Sequence, residues 1–341
     1  MTRPARVSVV IPTYQRRDSL LRVLASLRGQ SLPPEAYEAI VVVDGSTDGT
    51  AESARALAVP YAVSVLEGAN RGRAGACNAG LRAARGDVVV MLDDDMEASP
   101  ELLAAHMRAH EGGGRRAVVG AAPIAVTRDS PPFVRYTADG FRKRMARLAQ
   151  PGYRLGFRDT YTGNFSAARE ALLAVGGFDE SFRVYGHEDY ELALRLQAEA
   201  VELTYNAEAL AHQHYEKTFA AFARDGIARG RTAVLFAAKH PEVVDRIKLS
   251  EYHQWPWRWR ALRALLLRLS RVTDRVPGWV VAAVERLERW EPRRLDKYYT
   301  MAIDYLYWYG ALAAMREQRA STAGGSPHLA VGQASQGVRD G

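Results

Sequence analysis

The sequence predicts an α/β protein in which helices flank a mostly parallel sheet, a Rossmann-like arrangement. Over residues 6–95, runs of β-branched residues alternate with segments of helical periodicity. This rhythm is typical of parallel sheets, whose neighbouring strands are joined by helical crossovers. Polar loops at residues 13–16, 44–48 and 93–95 each follow a predicted strand. Ligands bind at the carboxyl edge of such sheets, so we expect a nucleotide site there.

The elements follow one another in a regular order. Apolar and β-branched runs predict strands at residues 6–12, 38–43, 61–66, 88–92, 117–126, 162–169 and 202–206. Apolar residues three and four apart predict helices at residues 19–27, 51–57, 72–85, 101–110, 171–175, 188–198 and 216–239. Residues 128–158 mix Pro, Arg and aromatic residues, and we predict a loop-rich insertion there.

Composition indicates a globular protein of one or two domains. The chain has 341 residues, of which 48% are hydrophobic and 25% charged. Its single cysteine, Cys77, excludes an intramolecular disulfide framework and fits a reducing compartment. The small residues around it predict buried packing rather than a nucleophile. No signal-peptide core is visible, and no apolar run approaches the ~20 residues of a membrane span. We therefore expect a cytoplasmic protein, soluble or peripheral at the inner face of the membrane.

Residues 241–318 differ chemically from the rest of the chain. The net charge is +7, and residues 251–300 carry eleven Arg and Lys against six Asp and Glu. All six tryptophans lie between residues 255 and 308. Helical periodicity at 257–269, 277–290 and 298–316 predicts an α-helical extension that packs on the α/β domain, lies in a membrane interface or binds nucleic acid. No nucleic-acid module is recognisable, so we expect no nucleic-acid partner. Residues 319–341 are predicted to be disordered.

Acidic residues follow one predicted strand and begin one predicted helix. Asp93, Asp94 and Asp95 follow the fourth strand, where adjacent carboxylates call for a cation or several N–H donors. In extended chain Asp93 and Asp95 point to the same side, a pair suited to Mg²⁺ or Mn²⁺. A turn that caps the next helix is the other interpretation. Glu188 and Asp189 begin a predicted helix, where the helix dipole alone would favour acids.

Three segments in order resemble the family 2 glycosyltransferases of the GT-A fold. They are residues 9–16, 43–50 and 92–95, and the resemblance covers roughly residues 5–240. It implies a GT-A catalytic domain at 1–240, followed by the helical extension. Val43 departs from the family, which often has a second Asp there. The absence of Gly-x-Gly-x-x-Gly after the first strand argues against an NAD enzyme.

The resemblance implies a metal-dependent, inverting glycosyltransferase. It would move a sugar from a nucleotide-diphosphate donor, with a UDP-sugar favoured, to a hydroxyl of a glycan, lipid or small molecule in polysaccharide or cell-envelope biosynthesis. GDP- and dTDP-sugars remain alternatives. A further alternative is a non-catalytic protein of the same fold that uses residues 255–316 at a membrane or polymer.

The resemblance also assigns roles to residues. Asp189 matches the catalytic base, and Glu188 the residue that orients the acceptor or the base. Mn²⁺ or Mg²⁺ would be held by Asp95 with Asp93 and His212, or His214 in its place, although a surface His pair without a role is the other interpretation. The nucleotide-sugar residues are Pro12, Thr13, Tyr14, Arg16, Asp44, Arg73, Asp93 and Asp94. The acceptor and donor pocket would include Gly163, Asn164 and His187.

Overall fold

The computed structural model describes residues 6–112, 115–290 and 295–323. Within these residues, eight strands form one sheet in the order β3-β2-β1-β4-β7-β6-β8-β5. In chain order the strands are β1 (Val7–Thr13), β2 (Tyr37–Asp44), β3 (Ala62–Gly68), β4 (Val88–Leu92), β5 (Met96–Ala98), β6 (Arg116–Ala121), β7 (Asn164–Ala168) and β8 (Glu202–Gln213). Only β7 and β5 run against the other described strands, so the predicted mostly parallel sheet is confirmed.

The central strands are apolar because both of their faces are covered. Every residue of β2 and β4 is buried. Along β1, Val9 and Ile11 face one core while Val10 faces the other. This is the two-sided burial that parallel sheets require. β3 lies at the edge of the sheet, and its residues are half-buried or exposed.

Helices cover both faces of the sheet. One face packs against α1 (Arg17–Leu27), α2 (Thr50–Ala56) and α4 (Leu102–His110). The other packs against α3 (Gly72–Ala83), α6 (Arg169–Ala174) and α7 (Glu188–Ala198). Cys77 in α3 is fully buried, as the small residues around it predict.

The predicted loop-rich insertion at 128–158 is wrong. It contains α5 (Pro132–Leu148), a helix of 17 residues. Pro132 occupies the first turn, where its missing N–H costs nothing. Phe133, Val134 and Leu148 are its buried residues, too few for an obvious apolar period. A short 3₁₀ turn, Phe157–Asp159, follows the helix.

β8 is longer than the strand predicted at 202–206, because β5 pairs with its far end. The pairing is antiparallel and joins Glu97 to His212 and Met96 to Gln213. β5 has three residues, too few to show a strand pattern in the sequence. It directly follows the Asp-rich turn, so this pairing brings the end of β8 to the acids.

The C-terminal helices share a core with the α/β domain. They are α9 (Trp257–Leu269), α10 (Val276–Trp290) and α11 (Asp296–Ala323), and they pack on α5 and on α8 (Phe219–Lys239). Short 3₁₀ segments, Pro241–Arg246 and Lys248–Glu251, connect α8 to α9. The predicted helical extension is confirmed. Because α11 reaches Ala323, the first residues of the predicted disordered tail are helical; residues 324–341 lie outside the described residues.

In the described part of the chain, no helix has both the length and the apolar character needed to cross a membrane.

Candidate active site

A cleft of about 1190 Å³ lies at the carboxyl edge of the sheet. Its floor is the ends of β1, β2 and β4, which deliver Thr13, Asp44 and the three consecutive Asp residues. The N-terminus of α7 forms one side, and α5, α8, α11 and the 3₁₀ segment Lys248–Glu251 form the others. The three predicted polar loops therefore do meet in one place.

The acids after β4 form a tight turn between two strands. The Asp93 N–H donates to the Gly163 carbonyl at 2.9 Å, and the Met96 N–H donates to the Asp93 carbonyl at 3.2 Å. β5 then separates this turn from α4, which begins at Leu102. The turn therefore caps no helix, which removes that interpretation.

Asp94 and Asp95 are buried beside one arginine. The Thr13 hydroxyl donates to Asp94 at 2.8 Å, and Arg16 Nη1 donates to Asp94 at 2.9 Å and to Asp95 at 3.4 Å. Burial raises the pKa of Asp94 to about 7 against the opposing effect of Arg16. Burial, and then repulsion from Asp93, also raise the pKa of Asp95. Asp95 is therefore buried with long side-chain N–H contacts, at 3.4 Å from Arg16 and 3.3 Å from Gln213. An added cation would stabilise its charged form.

Asp93 and Asp189 meet at Arg73. Arg73 Nη2 donates to Asp93 Oδ1 at 2.7 Å, and Arg73 Nη1 lies 3.4 Å from Asp189 Oδ1. Nη1 also donates to the Thr162 hydroxyl at 2.7 Å, and that hydroxyl donates to Asp189. The guanidinium is a planar fork suited to holding two carboxylates at once. It joins two acids that are far apart in the sequence.

The start of α7 is fixed by local bonds. Glu188 is buried and accepts from the Gly186 N–H at 2.8 Å, and burial raises its pKa to about 7. His187 has a positive φ of 68° and lies 2.9 Å from the Thr232 hydroxyl of α8. Burial lowers the pKa of His187 to about 3, so its ring is neutral. These contacts hold the loop before Asp189 in one conformation.

Asp44 organises the loop that opens α3. Its two carboxylate oxygens accept from the N–H groups of Arg71 at 2.7 Å and Gly72 at 2.9 Å. Burial raises the pKa of Asp44. Pro12, Thr13 and Arg16 line the cleft beside it, as does Tyr14, which is 51% exposed. The predicted nucleotide residues thus lie together. Each oxygen of the Asp44 carboxylate already accepts one backbone N–H and keeps a free lone pair for a ligand.

The structure does not bring Asn164 into the cleft. Its side chain is fully buried; it donates to the carbonyls of Ala121 and Ala209 and bonds to His106 at 2.9 Å. β7 points it into the protein, where it links strands. Gly163 lies under the acids instead, and a Cβ there would stand 2.5 Å from Asp93 Oδ2. A larger residue at position 163 would therefore displace the Asp93 side chain.

Neither predicted histidine faces Asp95. His212 is exposed on β8, and the His214 ring bonds to Glu97 at 2.6 Å. The side chain between them, Gln213, lies 3.3 Å from Asp95 through its amide nitrogen. Successive residues of a strand point to opposite faces, and the β5 pairing turns the intervening residue inward. Sequence reasoning missed Gln213, for which the only local signal was its place between the two histidines.

Within the described residues, no group of three or more His, Cys, Asp or Glu side chains is arranged to hold a metal ion. Asp95 and Asp93 nevertheless supply hard oxygen donors at the cleft floor. Mg²⁺ and Mn²⁺ are commonly held by one or two carboxylates, with substrate phosphates completing the shell. The donor set therefore fits a cation that arrives with a diphosphate, and does not fit a complete protein cage.

Cations also line the cleft wall, and sequence reasoning missed them. Arg229 of α8 and Lys217 both lie over the ring of Tyr185, at 5.7 and 4.9 Å. Among the described residues, Arg229 has no carboxylate within ion-pair distance. Arg144 of α5 donates to the carbonyls of Arg158 and Thr160 at 3.1 and 3.4 Å. This wall suits phosphate or another anion.

A GT-A-like sheet with an acid-floored cleft at its carboxyl edge is the architecture of one class of glycosyltransferases. Residues 8–174 match the family described as glycosyl transferase family 2. Residues 142–218 match a second family, described as the N-terminal domain of galactosyltransferase. The chain belongs to glycosyltransferase family 2.

Curated relatives agree with this assignment. The chain is 30% identical over 228 residues to validoxylamine A glucosyltransferase of Streptomyces hygroscopicus subsp. limoneus, a match that covers 60% of this chain and 50% of the relative. It is 30% identical over 171 residues to dolichol-phosphate mannosyltransferase of Pyrococcus furiosus, covering 50% of this chain and 48% of the relative. The chain thus spans about half the length of these relatives.

A solved structure shares the fold along nearly the whole chain. It is the mannosyltransferase PcManGT of Pyrobaculum calidifontis, in complex with GDP-Man and Mn²⁺. The TM-score is 0.64 at 22% identity, covering 93% of this chain and 89% of that chain. The likeness therefore includes the C-terminal helices as well as the α/β domain.

Proposed function

We propose that the protein is an inverting, metal-dependent glycosyltransferase that moves a sugar from a UDP-sugar to an acceptor hydroxyl. The observation that carries the proposal is the joining of Asp93 and Asp189 by Arg73 at the floor of the cleft. One acid belongs to the strand end where a donor diphosphate would bind. The other begins α7 and faces the same cleft.

In this mechanism Asp189 accepts the proton of the acceptor hydroxyl while the hydroxyl oxygen attacks the anomeric carbon. The bond between that carbon and the diphosphate oxygen breaks in the same displacement, so the configuration inverts. Arg73 and Thr162 orient the Asp189 carboxylate through the contacts described above. Glu188 acts as a positioning residue, because its carboxylate holds the Gly186 N–H.

A divalent cation would be held by Asp95, with Asp93 beside it, and would neutralise charge on the departing diphosphate. Gln213 supports Asp95 from β8. His212 and His214, predicted as metal ligands, are not part of this proposal because their rings face away from Asp95. The donor nucleoside would lie along the β1 and β2 loops, near Tyr14 and Asp44.

The acceptor would enter between α5 and α7. A glycan or a lipid-linked glycan fits a cleft of this size, and the dolichol-phosphate mannosyltransferase relative is named for a lipid phosphate. The cations of α5 and α8 would face it or the donor. Assays with UDP-, GDP- and dTDP-sugars test the donor preference, and transfer with a GDP- or dTDP-sugar alone would contradict the UDP assignment.

Asp189→Asn tests the mechanism. We expect transfer to fall by about 10²–10⁴-fold, the usual contribution of a general base, with the affinity for UDP and Mn²⁺ unchanged by titration calorimetry. Asp245→Asn, at an exposed carboxylate of Pro241–Arg246, is the matched control and should retain activity. Transfer at the wild-type rate in Asp189→Asn would remove Asp189 from the base role. No metal-dependent nucleotide binding by the wild type would favour the non-catalytic alternative.

A further inference from the structure

α9 carries apolar side chains on both of its faces. Leu267 on the inner face is buried in the core shared with α8 and α11. On the outer face Leu265 is 52% exposed and Leu269 is 43% exposed. Val272 in the following turn is 85% exposed. The outer face is therefore apolar without being part of the core.

These outer residues form one continuous stripe. Positions 262, 265, 269 and 272 are three and four residues apart, the spacing that aligns side chains along a helix. The turn beyond α9 keeps this geometry, because the Val272 N–H donates to the Leu269 carbonyl at 2.9 Å. Leu262, Leu265, Leu269 and Val272 are the outer stripe. An exposed apolar stripe of this kind marks an interaction surface.

The charged residues within the segment that carries the outer stripe all have one sign. Arg258 lies at its N-terminal end, and Arg268 and Arg271 flank it. Residues 252–273 contain no Asp or Glu. Among the described residues, none of these three arginines has a carboxylate within ion-pair distance. Trp257, at the start of α9, is 71% exposed. An exposed leucine stripe with arginines that form no ion pair, and an exposed tryptophan at the start of the helix, are the composition of interfacial helices that lie on anionic lipid.

We propose that the outer stripe of α9 docks the protein on an anionic lipid surface. The apolar side chains would enter the acyl boundary, and the flanking arginines would lie at the headgroup phosphates. This positive charge, with no acid on the helix, favours lipid over a second copy of the chain, whose own outer stripe would repel it.

A chain of ion pairs connects α9, the helix that carries the outer stripe, to the cleft. Arg263, on the inner face of α9, donates to Asp304 of α11 at 2.7 Å. The other oxygen of Asp304 lies 3.1 Å from Lys248 Nζ, and Lys248 lines the cleft. The Asp304 side chain therefore links α9 directly to a residue that lines the cleft. Docking would hold that wall near the membrane, where a lipid-linked acceptor would be.

Co-sedimentation of the full chain with vesicles tests the proposal. We expect binding to vesicles of equal parts phosphatidylcholine and phosphatidylglycerol, little binding to phosphatidylcholine alone, and weakening by salt. Leu265→Glu combined with Leu269→Glu should abolish binding. Arg268→Ala and Arg271→Ala should each weaken it about five-fold, from the ~1 kcal/mol per basic residue near such surfaces. All substituted side chains are exposed, so the melting temperature should stay unchanged.

Leu173→Glu is the matched control, since Leu173 is 40% exposed on the α/β domain. It should leave vesicle binding intact. Unchanged binding in the double variant, or equal loss in Leu173→Glu, would overturn the proposal. A second copy would be the occupant if the wild type bound no vesicles and formed a dimer that the double variant converts to a monomer, and this result would overturn the proposal. Tight binding of duplex DNA through the same side chains would also overturn it. Vesicle binding is measured without any sugar transfer. A negative result would therefore leave the proposed function unaffected, and a failure of the proposed function would leave the docking proposal unaffected.

Discussion

Arg73 Nη2 lies 2.7 Å from Asp93 Oδ1. The other arm of the same guanidinium reaches Asp189 and Thr162, so α3, the end of β4 and the start of α7 are held together by one side chain. In our proposal Asp93 lies beside the cation that Asp95 would hold against the donor diphosphate, and Asp189 is the base. Arg73 therefore fixes the position of the proposed base, Asp189, relative to the acids at the donor end of the cleft.

Replacing Arg73 by lysine should reduce transfer about 10²-fold, the order of effect expected when a reacting group is misplaced by about 1 Å. A lysine ammonium keeps the charge but cannot span two carboxylates and a hydroxyl as a fork does. Steady-state kinetics should show the loss mainly in kcat. Arg71→Lys, which alters the exposed pair with Glu180, is the control. Wild-type kcat in Arg73→Lys would contradict the positioning role.

Gln213→Ala should raise the Mn²⁺ concentration needed for half-maximal activity by about ten-fold, as loss of outer-shell partners does at metal sites. The adjacent substitution His212→Ala should leave it unchanged, because His212 is exposed and turned away from Asp95. Metal titrations of the two variants decide between them. A large effect of His212→Ala with none for Gln213→Ala would restore the histidine assignment.

Glu188→Gln should change how stability depends on pH. Burial raises the pKa of Glu188 to about 7 from the ordinary 4.5 of a glutamate. The folded state then binds more protons than the unfolded state between these values, so wild-type stability falls as pH rises toward and through 7. Glutamine imitates the protonated acid, so the melting temperature of Glu188→Gln relative to wild type should rise from pH 5 to pH 8. Glu170→Gln, at an exposed site, should show no such trend; a flat difference for Glu188→Gln would contradict the shift.

Gly230→Ala should destabilise the protein by about 1–3 kcal/mol, the usual cost of overpacking. α8 and α11 approach so closely that a Cβ on Gly230 would stand 1.9 Å from the Tyr307 carbonyl oxygen. At Gly226, one turn earlier, the nearest heavy atom is 3.8 Å away. Gly226→Ala should therefore be neutral or stabilising, since alanine is the better helix former. Chemical denaturation measures both, and equal effects would show that the helices can move apart.

Local signals predicted much of the site. The apolar run of β4 followed by Asp93 and Asp95 predicts acids at a sheet edge, and that is where they lie. The helical periods of α9, α10 and α11 are also local and were sufficient to place those helices. In contrast, α5 has only three buried residues in 17, so its sequence shows no clear apolar period.

The sequence by itself determined most of the strands and helices, the loops that meet at the cleft and the family to which the chain belongs, because each depends on residues close together in the chain. Only the tertiary structure decided that Gln213 rather than His212 faces Asp95, that Asn164 turns into the sheet, and that Arg73 joins Asp93 to Asp189. These depend on pairings between distant segments. Shifting a strand by one residue exchanges its two faces, and no local pattern specifies that register.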